Sequence, residues 1–404
     1  VSYNSDGTVS EIKPTHGAPE RVKKRVISDF DSVFYPESFV MPFSEIVHDR
    51  AVVEVLRGCA RGCRFCQAGF IYRPIREKGI DTIVAETKAL CEATGYEEVS
   101  LSSLSTSDYS EIEKLLNTLV EYTEDEKINL SLPSMRIDNF SQELLEKIKK
   151  VRKSGLTFAP EAGTQRLRNV INKNVSEEEI MNTCKIAFEG GYTNVKLYFM
   201  LGLPTETMED IEGIAKLSQR IVDMFYNLEN RPRGKGVSIS VSCATFVPKP
   251  FTPFQFEPQD TADVISKKQK HLFDCIKTRK ISVSWNKLDV GLLEAVLARG
   301  DRRLCEAVYL AWKKGCKLDG WNEFFRFDLW REAFEECSID TSFYANRRRS
   351  YDEILPWSHL DYLVSHEFFV RENKKAHESE TTKSCMEKCA GCGISKDSGG
   401  LYCG

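Results

Sequence analysis

The chain lacks any run of about 20 apolar residues, the length needed to cross a bilayer. Its first residues, Val1-Ser2-Tyr3-Asn4-Ser5-Asp6-Gly7, are neither basic nor apolar enough to resemble an export signal. A cytoplasmic protein without membrane contact is expected. Charge of one sign is lacking too: 56 Lys and Arg against 60 Asp and Glu leave −4 over 404 residues. That balance does not support nucleic acid as a partner, and the local basic run Arg347-Arg348-Arg349 reads as a solvated loop. P-loop, GxGxxG and nucleophile-elbow motifs are absent, and the six histidines show no paired-ligand spacing. With no internal repeat, solenoid and propeller architectures fall away. The missing initiator Met suits a piece cut from a longer polypeptide.

What the chain has in excess is cysteine, fourteen in all. In a reducing compartment clustered cysteines bind metal more often than they pair, so spacing matters more than number.

The first 50 residues are polar and punctuated by Pro14, Pro19, Pro36 and Pro42, as in a linker or arm. From Ala51 short β-branched runs predict strands at 51–56, 98–102, 128–132, 155–159, 194–200 and 237–245. Helical patterns fall between them at 81–94, 111–122, 141–153, 165–170 with 177–189, and 209–226. One helix is fully punctuated: Ser176-Glu177-Glu178-Glu179 is a capping box, Ile180, Cys184, Ala187 and Phe188 share a face, and Gly190-Gly191 ends it. Strict alternation implies an α/β fold with a parallel sheet and function at the carboxyl ends of the strands. On pattern alone a partial barrel and a doubly wound sheet both remain open. The expected organisation is an arm at 1–50, a core at 51–257, a mainly helical extension at 258–372 and a Cys-rich tail at 373–404.

Directly after the first strand stands Arg57-Gly58-Cys59-Ala60-Arg61-Gly62-Cys63-Arg64-Phe65-Cys66. Three thiolates on one glycine-bearing loop can reach a single centre, and soft sulfur ligands select iron–sulfur clusters or zinc. Structural zinc normally takes a fourth ligand close by, and the neighbouring sequence supplies none. Three ligands on a four-iron cluster leave one iron open to bind something else.

This C-x3-C-x2-C loop, with an aromatic before its last cysteine and six strand–helix alternations, resembles the radical S-adenosylmethionine (radical SAM) enzymes. The resemblance implies a partial (β/α)6 TIM-type barrel. It implies that Cys59, Cys63 and Cys66 hold a 4Fe–4S cluster whose open iron binds S-adenosylmethionine, which is reductively cleaved to a 5′-deoxyadenosyl radical. A flavodoxin or ferredoxin type of electron donor is implied as partner. Phe65 belongs to the motif. Ser102 and Ser103 stand where the family commonly carries a Gly-Gly-Glu-like contact, and Ser134 and Arg136 follow the third strand. Glu161, in Pro160-Glu161-Ala162-Gly163, resembles an element that contacts the ribose hydroxyls or the methionyl amine. Its alternative is a helix N-terminal carboxylate paired with Arg166 or Arg168. Gly202 and Pro204 match a turn whose backbone approaches adenine. Pro248–Phe254 resembles the strand-six segment of methylthiotransferase-like and cobalamin-binding subgroups, or is a rigid exit loop.

Ile46–Arg50, Gln67–Glu77 and Ala298–Leu304 are similar to large uncharacterised members whose polypeptides begin with a cobalamin-binding domain. This chain has no D-x-H-x-x-G signature, so cobalamin would belong to a longer parent. The implied function is C–H modification, with cobalamin-dependent methylation as one form, of a substrate at the barrel mouth beneath the segment after residue 258. Methylthiotransferase-like sulfur insertion into RNA or protein is the enzymatic alternative. A non-enzymatic zinc-binding interaction module is the alternative from another class.

The tail repeats the spacing: Cys385, Cys389 and Cys392 are followed by Cys403. Four thiolates close a site, so structural zinc or an auxiliary iron–sulfur cluster is expected, against a disordered tail with free thiols.

Overall fold

The computed structural model describes residues 1–132, 136–137, 156–232, 234–394 and 398–403. Its frame is a set of parallel strands: β1 (Ala51–Glu54), β2 (Glu98–Ser102), β3 (Asn129–Ser131), β4 (Leu156–Glu161), β5 (Asn194–Leu201), β6 (Ser238–Thr245) and β7 (Ile281–Trp285). They form two parallel sheets, β1-β2-β3 and β4-β5-β6-β7. Between them run α1 (Ile80–Thr94), α2 (Ile112–Asp125), α3 (Gln165–Val170), α4 (Glu177–Glu189), α5 (Met208–Asn227) and α6 (Ala262–Cys275). The expected helix at 141–153 lies outside the described residues. This is the α/β, TIM-type partial barrel that the resemblance implied, and it settles the choice that the alternation left open.

The strands alternate sharply. In β5, Val195, Leu197, Phe199 and Leu201 are buried while Lys196, Tyr198 and Met200 are not. The apolar set packs with Ile180, Phe188, Ile211 and Phe225 of α4 and α5 in one core. Ala51, Val53, Val99 and Leu101 build a second core with Ile83, Leu90, Leu115 and Leu119 of α1 and α2. Helices therefore cover one face of each sheet, and the other face stays partly accessible. Cys184 is fully buried in the first core, as its helical phase predicted.

β7 corrects the sequence reading, which counted six strands and expected helices beyond residue 258. Ile281–Trp285 pairs in register with Ile239–Cys243 as a seventh parallel strand. β4 carries a bulge: Leu197 faces Phe158 and Phe199 faces Glu161, so Ala159 and Pro160 together oppose Tyr198. Pro160 has no N–H to donate, which suits an irregular position.

The C-terminal part continues with α7 (Leu288–Ala298), α8 (Leu304–Lys314), α9 (Phe327–Glu336) and α10 (His366–His377). Arg347–Arg349 is not the solvated loop expected. Arg349 is buried with its guanidinium over the Trp357 ring and donates to the Arg299 carbonyl at 2.6 Å, Arg347 pairs with Glu353 at 2.7 Å, and Arg348 with Glu257 at 2.9 Å. The N-terminal arm is laid on the core: Phe30 is buried, and Asp31 accepts the Gly79 N–H at 2.7 Å. Among the described residues no helix is long and apolar enough to cross a membrane.

Candidate metal and cofactor site

The cysteine loop leaves the carboxyl end of β1 and is forced tight by two glycines. Gly58 sits at φ +94°, and a Cβ there would lie 2.7 Å from the Pro74 carbonyl oxygen. A Cβ on Gly62 would stand 2.9 Å from Asn172 Nδ2. At Gly58, where the close atoms are backbone and φ is positive, only a residue without a side chain allows this course. It leaves Cys59, Cys63 and Cys66 half-buried and unpaired. Burial pushes the Cys59 thiol up to about 12, with the Cys63 and Cys66 thiols adding to it. Cys66 is raised by burial and by Cys63, against the pull of Lys173. Burial thus favours the neutral thiol at Cys59 and Cys66, and a positively charged centre is what displaces the proton.

Charged groups gather beside this loop from other carboxyl ends. Glu161 ends β4 at φ +66° and takes an ion pair from Lys173 at 3.1 Å. Both bear on Cys66. The alternative partners are engaged elsewhere, Arg166 with Asp210 and Arg168 with the Ala162 carbonyl. Asp108, buried after β2, accepts from Arg61 at 2.9 Å and from Ser105 Oγ at 2.7 Å. Burial opposes its ionisation, but Arg61 and Ser105 hold the carboxyl below its ordinary range, with Arg136 contributing. Arg136 also donates to the Lys173 carbonyl at 3.4 Å. Glu161 thus stands beside Cys66, and Arg136 reaches the same region through Asp108 and the Lys173 carbonyl. Arg61, Asp108, Asn172 and Lys173 were not singled out. The signal available for the last two was Asn172-Lys173-Asn174, a turn-forming run whose two asparagines adopt φ +51°.

The remaining candidates divide. Phe65 lines a cavity of about 220 Å³ with Met200, Thr245, Asn286 and Lys287, at the ends of β5 to β7. Ser102 accepts the Val55 N–H at 3.0 Å, and Ser103 Oγ is 2.8 Å from Thr106 Oγ1 within its own turn. Gly202 gives its N–H to Glu206 at 2.7 Å, and Pro204 is buried beside that turn. Ser134 lies outside the described residues. Two larger cavities, about 560 and 610 Å³, contain none of these residues.

Three loop thiols beside a carboxylate–lysine pair fit a cluster that takes three cysteines and a zwitterionic ligand at its open iron.

The tail closes onto this loop. Asn172 Nδ2 donates to the Gly62 carbonyl at 3.0 Å and its Oδ1 accepts the Thr382 N–H at 2.8 Å. The Cys385 N–H donates to the Ala60 carbonyl at 2.9 Å. Arg64, fully buried, pairs with Glu372 of α10 at 3.0 Å and donates to the Val170 carbonyl at 3.0 Å.

Residues 53–218 match the radical SAM superfamily. An uncharacterised protein of Methanocaldococcus jannaschii is 34% identical over 263 residues, 65% of this chain and 54% of that relative. A putative methylthiotransferase of the same organism is 30% identical over 166 residues, 39% of this chain and 36% of its own length. The chain thus spans about half, or less, of the relatives it matches. Among solved structures, the radical S-adenosylmethionine methyltransferase TsrM of Kitasatospora setae is similar at 12% identity and TM-score 0.43, over 71% of this chain and 61% of that one.

Proposed function

We infer that this chain, a member of the radical SAM superfamily through residues 53–218, holds a 4Fe–4S cluster on Cys59, Cys63 and Cys66 and uses it to cleave S-adenosylmethionine for C–H modification of a substrate. The observation that carries the reading is the convergence at one barrel end of the three-thiol loop with Glu161 and Lys173. The cluster, when bound, supplies the electron for reductive cleavage; the hard chemistry is the cofactor's. The protein's own residues bind and orient. Glu161 offers a carboxylate to the methionyl amine or ribose hydroxyls, and Lys173 and Arg136 offer cations to a carboxylate. Phe65 gives an apolar wall beside the cavity next to the loop.

The finer outcome we propose is methylation at carbon within a longer cobalamin-binding polypeptide; no residue of this chain is assigned to cobalamin. The 30% identical relative favours sulfur insertion as a second reading. The test is anaerobic reconstitution with iron and sulfide, then dithionite and S-adenosylmethionine. Release of 5′-deoxyadenosine that vanishes in Cys63→Ala, at unchanged circular dichroism, is expected. One equivalent of zinc with no deoxyadenosine would overturn the reading in favour of a zinc module. A methyl against a methylthio mass gain on the product separates the two outcomes.

A further inference from the structure

We propose that Cys385, Cys389, Cys392 and Cys403 hold a second iron–sulfur cluster, seated against the first cysteine loop, and that Arg73 is a positioning residue standing between the two.

The four thiols lie far from the first three in sequence, yet the tail is tied to that loop's surroundings at both ends. Cys385 is fixed through the Ala60 carbonyl, and the Leu401 N–H donates to the Ile75 carbonyl at 2.9 Å, bringing Cys403 back to the same place. The turn before Cys403 is packed hard: a Cβ on Gly400 would lie 2.4 Å from Cys403 Sγ and 2.6 Å from Pro74 Cβ. Cys392 is buried with Phe368, Phe369 and Ile394 in a small apolar cluster that Cys403 also touches. Its carbonyl accepts the Ser365 N–H at 2.8 Å at the start of α10. The thiols are within electrostatic reach of one another: Cys392, Cys385 and Cys389 all bear on Cys403. None is paired in a disulfide.

A polar tail that gathers four thiols without bonding them presents the donor set of a metal centre, which binds them as thiolates. The tail repeats the Cys-x3-Cys-x2-Cys spacing of the first loop and adds Cys403 as a fourth thiol, the complement of a closed four-cysteine cluster. The Gly391 N–H donates to Cys389 Sγ at 3.4 Å, the kind of amide–sulfur bond that stabilises charge on cluster sulfurs.

Arg73 supplies an independent pointer. It is 4% exposed, donates from Nε to the Gly69 carbonyl and from Nη2 to the Arg61 carbonyl, both at 3.0 Å, and stacks over Phe70. Nη1 is buried with no partner, although a guanidinium N–H left unpaired is costly. Its charge acts on Cys385 and Cys403. An anionic cluster on the tail gives that N–H its partner.

The test uses the full chain with Cys59, Cys63 and Cys66 all changed to Ala, reconstituted anaerobically with iron and sulfide, so that loss of the first cluster is separated from loss of the second. About four irons per chain with broad visible absorption are expected, the complement of a 4Fe–4S cluster. Binding of zinc alone, or of no metal, would overturn the proposal. In the otherwise intact chain the exposed Cys389→Ser should lose about half of the iron; unchanged iron would also overturn it. With both clusters in place, Arg73→Gln should move the midpoint potential of the tail cluster to more negative values, because removing a nearby cation disfavours the added electron, and Arg73→Lys should restore most of the shift. An unchanged potential in Arg73→Gln would refute the role of Arg73.

Discussion

At the residue scale the site is a balance of charge around half-buried thiols. Glu161 reaches the loop only because the Pro160 bulge and a positive φ turn the chain there, and Lys173 is what keeps its carboxylate in place. Losing one charge-assisted hydrogen bond costs about 1.5–3 kcal/mol, so Glu161→Gln is expected to weaken S-adenosylmethionine binding about tenfold or more while iron content is unchanged. Equilibrium binding to the reconstituted protein checks this. Gly58 is a backbone requirement. Gly58→Ala forces a Cβ into the Pro74 carbonyl and strains a left-handed residue, an expected loss of at least about 1–3 kcal/mol with poor iron retention, read by denaturant unfolding and iron analysis.

At the element scale the joints between helices and loops carry the load. Arg64 is fully buried on the cysteine loop and Glu372 is buried on α10. Glu372→Ala would strand a buried cation and is expected to cost about 3–5 kcal/mol, whereas Arg64→Met with Glu372→Met should recover most of it; urea denaturation distinguishes the two. Asp210, at the start of α5, opposes its own burial through hydrogen bonds from Thr164, Thr207 and Arg166, which hold its carboxyl below the ordinary range. A depressed folded value means that its stabilisation is present in full above about pH 4 and is lost as pH falls through the folded value. The stability difference between the protein and Asp210→Asn should therefore stay constant from neutrality to about pH 4 and shrink below it.

At the scale of the whole molecule, the C-terminal part completes the first site. α10 packs Ala376 into the same cluster as Leu167, Phe254 and, at its edge, Phe65. Arg64–Glu372, Asn172–Thr382 and Ala60–Cys385 all cross from loop to tail. A chain ending at residue 365 is expected to lose iron from the first loop as well as the tail, because Arg64 and the Gly62 turn lose their supports. Iron analysis of that truncation against the full chain is the measurement.

Much of this organisation was legible in the sequence, because its signals are local. Period-two and period-3.6 patterns marked β2, β5, α3 and α4 to within a residue, since burial of one face depends on the phase of neighbours in sequence. The three loop cysteines stand within eight residues, so their meeting needed no tertiary information. What the tertiary structure alone decided is non-local. β7 is a strand because β6 offers it a parallel edge, and its short alternating run, flanked by Lys and Thr, could not announce that partner. Arg347–Arg349 is drawn inward by Glu353, Glu257 and Trp357, not one of which a charge run reveals. Lys173 beside Glu161, Asp108 beside Arg61, and the tail thiols against the first loop are likewise products of chain crossing. Sequence alone determined which groups exist and which short segments hold them; the partner that each buried charge requires was chosen only when distant segments came into contact.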